Sequence, residues 1–324
     1  MTKVVVTQRL HEKGMALLER HAQAVVAETG EPRKLDPFLA DADGLIIRIG
    51  SIDREGLLAA KNLKVIGRPG VGVDSVDVAT CTELGIPVVI VPGANTRSVA
   101  EHAMMLMFAL AKDVLRSDQE TRRGNFNIRS TYKAYELKGK TLGLVGGGAI
   151  GSEFGRMAAA IGMTVMVYDP FLKKEAVEAG GWAYITDLGP LYREADVISL
   201  HVPLTDATRN LIGEKELGMM KDNAILINCA RGGIVDEDAL YRALKDNKIH
   251  GAGFDVLVQE PFDAGLPLMQ LDNFVITPHM AGQTKEAAAG VAVGAVEGVL
   301  AVINGEKWPK VCNPAAYDHP RWKK

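Results

Sequence analysis

The chain has 324 residues, 47% of them hydrophobic and 24% charged, with a net charge of −3. That length exceeds one ordinary core, so two domains are expected, and a charge so near neutral excludes nucleic acid as an expected partner. Cys81, Cys229 and Cys312 stand far apart with no metal-ligand spacing, which points to a reducing, cytoplasmic setting and no structural metal. The opening "MTKVVVTQRL" has too short an apolar run for a signal peptide, and no segment reads as a membrane span.

In chain order, "KVVVT", "GLIIR", "KVIGR" and "PVVIV" read as strands, separated by helical stretches such as "HEKGMALLERHA" and "DREGLLAAKN". This alternation predicts a small open α/β sheet. From Ser98 a single long helix is expected through "SVAEHAMMLMFALAKDVLRSDQETRRG", stopping at Gly124. Its Met104, Met105, Phe108, Ala111 and Leu115 keep helical spacing and read as core fillers. Six strands follow, in "TLGLVG", "MTVMVYD", "DVISLHVP", "NAILINCARG", "HGAGFDV" and "NFVITPHMAG", the number a doubly wound dinucleotide-binding sheet requires. A second long helix, "KEAAAGVAVGAVEGVLAVING", leads into the tail "EKWPKVCNPAAYDHPRWKK". The order predicts a cofactor domain inserted into another α/β domain, with the two long helices as the crossings. The expected divisions are 1–97 with 287–324, and 98–286. A cleft between two lobes would suit a small substrate meeting a cofactor.

Within "GGGAIG", Gly146, Gly148 and Gly151 match G-x-G-x-x-G: one glycine for the turn, one for close approach of pyrophosphate, one for helix–strand packing. The helix that opens there offers free N–H groups to phosphates. Asp169 stands 18 residues after Gly151, at the end of the next strand. A carboxylate there accepts from a ribose diol and repels a 2′-phosphate, so NAD is expected over NADP, with Lys173 and Lys174 weighing slightly the other way.

Three later strand ends each carry one chemically useful residue: Arg231 after "ILINCA", Glu260 after "GFDVLVQ" and His279 after "FVITP". Oxidising a 2-hydroxy acid needs a base for the hydroxyl proton, and imidazole suits it because its pKa lies near operating pH. A carboxylate can orient that ring, and a guanidinium fork matches the substrate carboxylate. Each residue alone has an ordinary structural explanation; the ordered set points to hydride-transfer chemistry.

The stretches "GRPGVGVDSVD", "VPGANTRSVAEHA", "LKGKTLGLVGGGAIG", "HVPLTDATRNLI", "INCARGGIVDEDAL", "GFDVLVQEPF" and "ITPHMAGQT" run from about Gly67 to Gln283. In them the chain resembles the D-isomer-specific 2-hydroxyacid dehydrogenase family, near its phosphoglycerate dehydrogenase and hydroxypyruvate reductase branch. The resemblance implies an α/β protein of two open parallel-sheet domains, a Rossmann-type NAD-binding domain inserted into a flavodoxin-like substrate domain. It implies Arg231 as substrate anchor, His279 as acid/base and Glu260 as its orienting partner. Cofactor contacts are implied at Ala149, Ile150, Asp169, Val202, Cys229, Ala230 and Asp255, beside the glycines. Backbone N–H groups of Val71 and Gly72 are implied on the substrate carboxylate, with Asn95 at the cleft edge. A homodimer through the NAD-binding domain is implied as well. Many relatives carry Arg or Lys where this chain has Ala149, so one cation near the pyrophosphate is missing.

Arg48 and Arg68 end strands in the first lobe. The branch resemblance makes Arg48 a candidate reader of a distal anion, as in 3-phosphoglycerate or sulfolactate; an ion pair holding the loop is the alternative. Hydroxypyruvate or glyoxylate reduction is a second enzymatic reading, and an NADH-sensing interaction protein a rival of another class. The six other histidines, His102 and His201 among them, are expected in surface or structural roles, with His201 near the cofactor. The basic "RRGNFNIRSTYK" is left open between a partner contact and a solvated arm.

Overall fold

Two blocks of strand-forming sequence each close on their own sheet, and a computed structural model, which describes residues 2–323, divides the chain accordingly. One compact unit ends at Asn95 and resumes at Gln283; the other is Thr96–Gly282. The divisions fall two and four residues before those expected, just ahead of the two long helices. Each helix therefore belongs wholly to one unit and is not itself a crossing.

The first unit contains strands β1 (Lys3–Val6), β2 (Gln23–Val26), β3 (Gly44–Ile46), β4 (Val65–Gly67) and β5 (Val88–Val89). They pair in parallel in the order β2-β1-β3-β4-β5, the flavodoxin-like arrangement. β2 was not among the expected strands. It is an edge strand whose side chains are exposed or half-buried, so it lacks the apolar run that marks its neighbours. Val4, Val6, Ile46, Val65 and Val89 are fully buried and meet Ala292, Val296 and Val299 of helix Lys285–Ile303. That helix approaches so closely that a Cβ on Gly14 or Gly67 would lie 2.7 Å from Ala292 or Val299. By length and composition alone it is apolar enough to cross a membrane, a test that a helix packed on a sheet also meets. Its burying face on the sheet accounts for the composition. Beyond it the tail is stitched down by the buried Asn313, which accepts the Val88 amide at 2.7 Å and donates to the Ile86 carbonyl at 3.0 Å.

The second unit holds β6 (Thr141–Val145), β7 (Thr164–Tyr168), β8 (Ala183–Ile185), β9 (Val197–Leu200), β10 (Ile225–Asn228), β11 (Gly251–Phe254) and β12 (Phe274–Ile276). Their order, β12-β11-β10-β9-β6-β7-β8, reverses between β6 and β9. That is the doubly wound Rossmann order with one further parallel strand, and the reversal is where such sheets bind ligands. Seven strands are present where six were expected; the missed one, β8, is again a short edge strand with no buried side chain.

The expected single helix after Ser98 is two, Thr96–Ala111 and Val114–Arg122, broken where Asp113 adopts φ +50. Its expected core face is also corrected. Ala100, Ala103, Leu106, Met107 and Leu110 are the buried stripe, joined by Ala111, whereas Met105 is 44% and Leu115 49% exposed. The small residues of that stripe let the helix lie close to the sheet: a Cβ on Gly253 of β11 would come 3.0 Å from Leu106. Gly124, at φ +83, follows the second helix as expected.

Candidate active site

In the second unit the candidate residues collect at one edge of one sheet, because parallel strands present all their C-terminal ends together. Gly146 follows β6, Asp169 follows β7, Val202 lies beyond β9, Cys229 and Ala230 follow β10, Asp255 follows β11 and His279 lies beyond β12.

The turn after β6 is built as a phosphate cradle. Gly146 sits at φ +99 and its amide is anchored on the Tyr168 carbonyl at 2.8 Å. A Cβ on Gly151 would stand 2.1 Å from the Gly146 carbonyl oxygen, so only glycine lets helix Ala149–Ala160 start this close to the turn. Gly148 faces open space and no side chain caps the helix, leaving N-terminal amides for an anion. Ala149 is exposed and Ile150 half-buried at that opening. Asp169 is nearly buried; its Oδ2 accepts the Gly147 amide and its Oδ1 the Phe171 amide, both at 2.9 Å. It therefore braces the glycine turn, and a carboxylate with about four acceptor positions keeps capacity for a ribose hydroxyl. These residues fit a dinucleotide. Val202, Cys229 and Ala230 are half-buried along the same edge. Beneath the turn, burial pushes the His201 imidazole down to about 4, and Ser199 Oγ meets its Nε2 at 2.9 Å.

Beyond the turn, three loops carry the polar set. Asn228, 1% exposed, accepts the Ala230 amide and donates to the Arg231 carbonyl, which shapes the loop bearing Arg231. Arg231 Nη1 donates to the Ala230 carbonyl at 2.7 Å. Gly232 lets this loop pass the next one, since a Cβ there would meet the Leu257 backbone at 2.1 Å. On that next loop, Glu237 Oε1 takes the Val258 amide at 2.7 Å, two residues before Glu260. Glu260 Oε2 then lies 2.7 Å from His279 Nδ1, with the His279 side chain 49% exposed. Nδ1 is thus engaged, and Nε2 has no partner among the described residues.

Asp255 completes the set at the end of β11. Its side chain is 1% exposed and accepts from Thr277 Oγ1 at 2.6 Å, from the Met280 amide at 2.9 Å and from the Ala281 amide at 2.8 Å. The carboxylate is engaged by internal donors, two of them amides of the turn that bears His279. His102, whose Nε2 lies 2.8 Å from Thr277 Oγ1, and Glu237 were not singled out for the site. The available signals were a histidine facing the apolar side of a helix, and the places of both residues within the family-like stretches "VPGANTRSVAEHA" and "INCARGGIVDEDAL".

In the first unit, Arg48 is exposed after β3, and its Nη1 donates to the Arg9 carbonyl at 2.6 Å. Its main-chain amide is held by Oγ1 of the fully buried Thr7 at 3.0 Å. The alternative of an ion pair is not what holds it: no carboxylate pairs with Arg48 among the described residues. Arg68 Nε donates to the Gly72 carbonyl at 3.0 Å and shapes the loop of Val71, which is 50% exposed, and Gly72. Asn95 is half-buried at the unit's last residue before the division.

Residues 104–281 match the family model for the D-isomer specific 2-hydroxyacid dehydrogenase, NAD binding domain. The chain belongs to the D-isomer-specific 2-hydroxyacid dehydrogenase family. It is 43% identical over 314 residues to the D-3-phosphoglycerate dehydrogenase of Methanocaldococcus jannaschii, covering 97% of this chain and 60% of that protein. It is 39% identical over 292 residues to the hydroxypyruvate reductase of Thermotoga maritima, covering 89% of this chain and 94% of that protein. The TT0316 protein of Thermus thermophilus has the same fold, with a TM-score of 0.86 at 37% identity over 96% of this chain and 100% of that one. The chain thus spans about three fifths of the length of the archaeal phosphoglycerate dehydrogenase it matches. The NAD-binding domain of this D-2-hydroxyacid dehydrogenase family is the unit with the glycine turn.

Proposed function

We propose that the protein is an NAD-dependent oxidoreductase moving hydride between nicotinamide and a D-2-hydroxy acid or 2-oxo acid. The observation that carries this is the 2.7 Å contact between His279 Nδ1 and Glu260 Oε2. Glu260 accepts from Nδ1–H, which leaves Nε2 as the proton-exchanging atom. In oxidation Nε2 takes the hydroxyl proton while the C–H electron pair departs as hydride, giving the 2-oxo acid and an imidazolium. In reduction the imidazolium returns that proton to the carbonyl oxygen. Bound NAD supplies the hydride acceptor, and the glycine turn, Asp169 and the edge residues Ala149, Ile150, Val202, Cys229 and Ala230 would hold it. Arg231 offers its guanidinium to the substrate carboxylate, and the family resemblance assigns the Val71 and Gly72 amides and Asn95 of the first unit as further substrate contacts.

Within that chemistry we favour 3-phosphoglycerate or another acid with a distal anion, read by Arg48. Support comes from an exposed guanidinium with no carboxylate partner among the described residues, and from the likeness to the archaeal phosphoglycerate dehydrogenase. Hydroxypyruvate reduction is the second reading, favoured by the 39% identity to the Thermotoga maritima enzyme over 292 residues. A cytoplasmic homodimer joined through the NAD-binding unit belongs to the same proposal.

The test is NADH oxidation against phosphohydroxypyruvate, sulfopyruvate, hydroxypyruvate, glyoxylate and pyruvate, with NADPH in parallel. Turnover on a substrate with a distal anion is expected. Arg48→Gln should raise its KM by about tenfold or more while leaving glyoxylate kinetics alone. His279→Ala should lower kcat by roughly 10²–10⁴ with NADH binding intact. Equal effects of Arg48→Gln on all substrates would remove the distal-anion reading. NADH binding without turnover on any acid would favour a sensor.

A further inference from the structure

We infer that one face of helix Thr96–Ala111, through Ser98 and His102, is a clamp that positions the turn carrying His279. The inference rests on His279 being the proton-transfer group.

Ser98 and His102 are four residues apart and so share a helical face. Each grips one end of the turn. His102 Nε2 lies 2.8 Å from Thr277 Oγ1, and Ser98 Oγ donates to the carbonyl of Ala281. Ser98 is buried and the His102 side chain only 13% exposed, so neither contact exchanges freely with water.

The direction of the His102 contact follows from donor counting. Thr277 Oγ1 has one proton, and the acceptors in reach are Asp255 Oδ1 at 2.6 Å and the Phe254 carbonyl at 3.4 Å. The shorter contact takes the proton, so Thr277 accepts from His102 and Nε2 carries a hydrogen. Burial holds the His102 pKa below its ordinary value, against the pull of Asp255, whose Oδ1 lies 3.7 Å from Nε2. The neutral Nε2–H tautomer fits both facts. The chain then runs from His102 to the Thr277 hydroxyl to Asp255.

Asp255 passes the constraint on. Its carboxylate takes the Met280 and Ala281 amides and its main-chain carbonyl takes the His279 amide at 2.8 Å. Three successive amides therefore end on one residue. The turn needs this, because His279 sits at φ +50, a conformation that a non-glycine residue keeps only when its surroundings impose it. Without the His102 donor, the Thr277 hydroxyl can swing to the Phe254 carbonyl and leave Asp255. The turn then samples more conformers, and the imidazole is less often where a substrate oxygen would meet it.

The experiment compares the full-length protein with His102→Leu, His102→Gln, Thr277→Val and His279→Ala. Gln offers an amide donor near the Nε2 position, and Val matches Thr in shape without the hydroxyl. His102→Leu and Thr277→Val should each lower kcat by about ten- to a hundredfold, the scale of a small misplacement of a reacting group. The KM for NADH should stay within about twofold. His102→Gln should recover most of the lost turnover. Amide hydrogen exchange across residues 278–282 should accelerate in His102→Leu and Thr277→Val but not in His102→Gln. Normal kcat and normal exchange in both variants would overturn the clamp. A Gln variant no better than Leu would overturn it too, since the loss would then follow bulk and not the donor. If His279→Ala retains turnover, the acid/base reading fails instead, and the exchange result still decides the clamp. Should His102→Leu fail to fold, Thr277→Val carries both readouts alone.

Discussion

Glu237 accepts the Val258 amide from a half-buried position in the first turn of its helix, beside Asp236 and Asp238. Burial raises its pKa, with the two aspartates adding to the effect and the Val258 hydrogen bond opposing it. A carboxyl whose folded pKa is raised contributes stability that is present below its unfolded pKa and is lost as pH rises through the folded one. The charged form is therefore the costly one at neutral pH. Glu237→Gln keeps an acceptor for Val258 and removes the charge. It should leave the melting temperature equal or higher at pH 8 and flatten its rise toward acid, as scanning calorimetry at several pH values would show. Glu237→Ala should instead lower kcat, because the loop bearing Glu260 loses its tether. A Gln variant that melts well below the parent at pH 8 would mean the ionised form is the one the site requires.

Among the elements, helix Ala149–Ala160 depends on glycine in its first turn. Gly151→Ala would place a methyl 2.1 Å from the Gly146 carbonyl, in backbone that cannot give without moving the turn. The expected result is NADH affinity weaker by about tenfold or more, together with a lower melting temperature. Gly148→Ala meets no atom within 4 Å and should leave the melting temperature unchanged, so any loss of NADH affinity there reports on the ligand space. This element was legible in advance because a strand, three glycines and Asp169 all lie within one short stretch. The edge strands β2 and β8 were not: half-exposed, they carry no continuous apolar run. The face of helix Thr96–Ala111 was misread because methionines and phenylalanine outrank alanine in apolarity, whereas closeness to the sheet selects the small residues. The pairing of Glu260 with His279 was legible through the family resemblance, and the two side chains lie 2.7 Å apart. The grip of Ser98 and His102 on the turn was not, since it joins residues 183 and 175 positions apart and leaves no local pattern.

At the scale of the molecule, both units are parallel sheets, so each gathers its polar loops at one edge, and an insertion at residue 96 gives each its own core. What such cores do not account for is the apolar surface of the NAD-binding unit. Among the described residues, five of eleven exposed large hydrophobic side chains fall between Met105 and Tyr132: Met105, Val114, Leu115, Phe126 and Tyr132. Isolated exposed hydrophobics are ordinary, whereas in the proposed homodimer this segment would be the surface a second copy covers. A second copy is the partner proposed here, and a two-fold dimer would bury the same segment of each chain against its counterpart. Met105→Lys with Leu115→Lys puts two charges into that surface and, both sites being about half exposed, should leave the fold itself intact. Sedimentation velocity is expected to give twice the chain mass for the parent and one chain mass for the double variant, with an unchanged circular dichroism spectrum. A monomeric parent would remove the dimer. A double variant that stays dimeric would move the interface away from these helices and return the segment to an unexplained apolar surface.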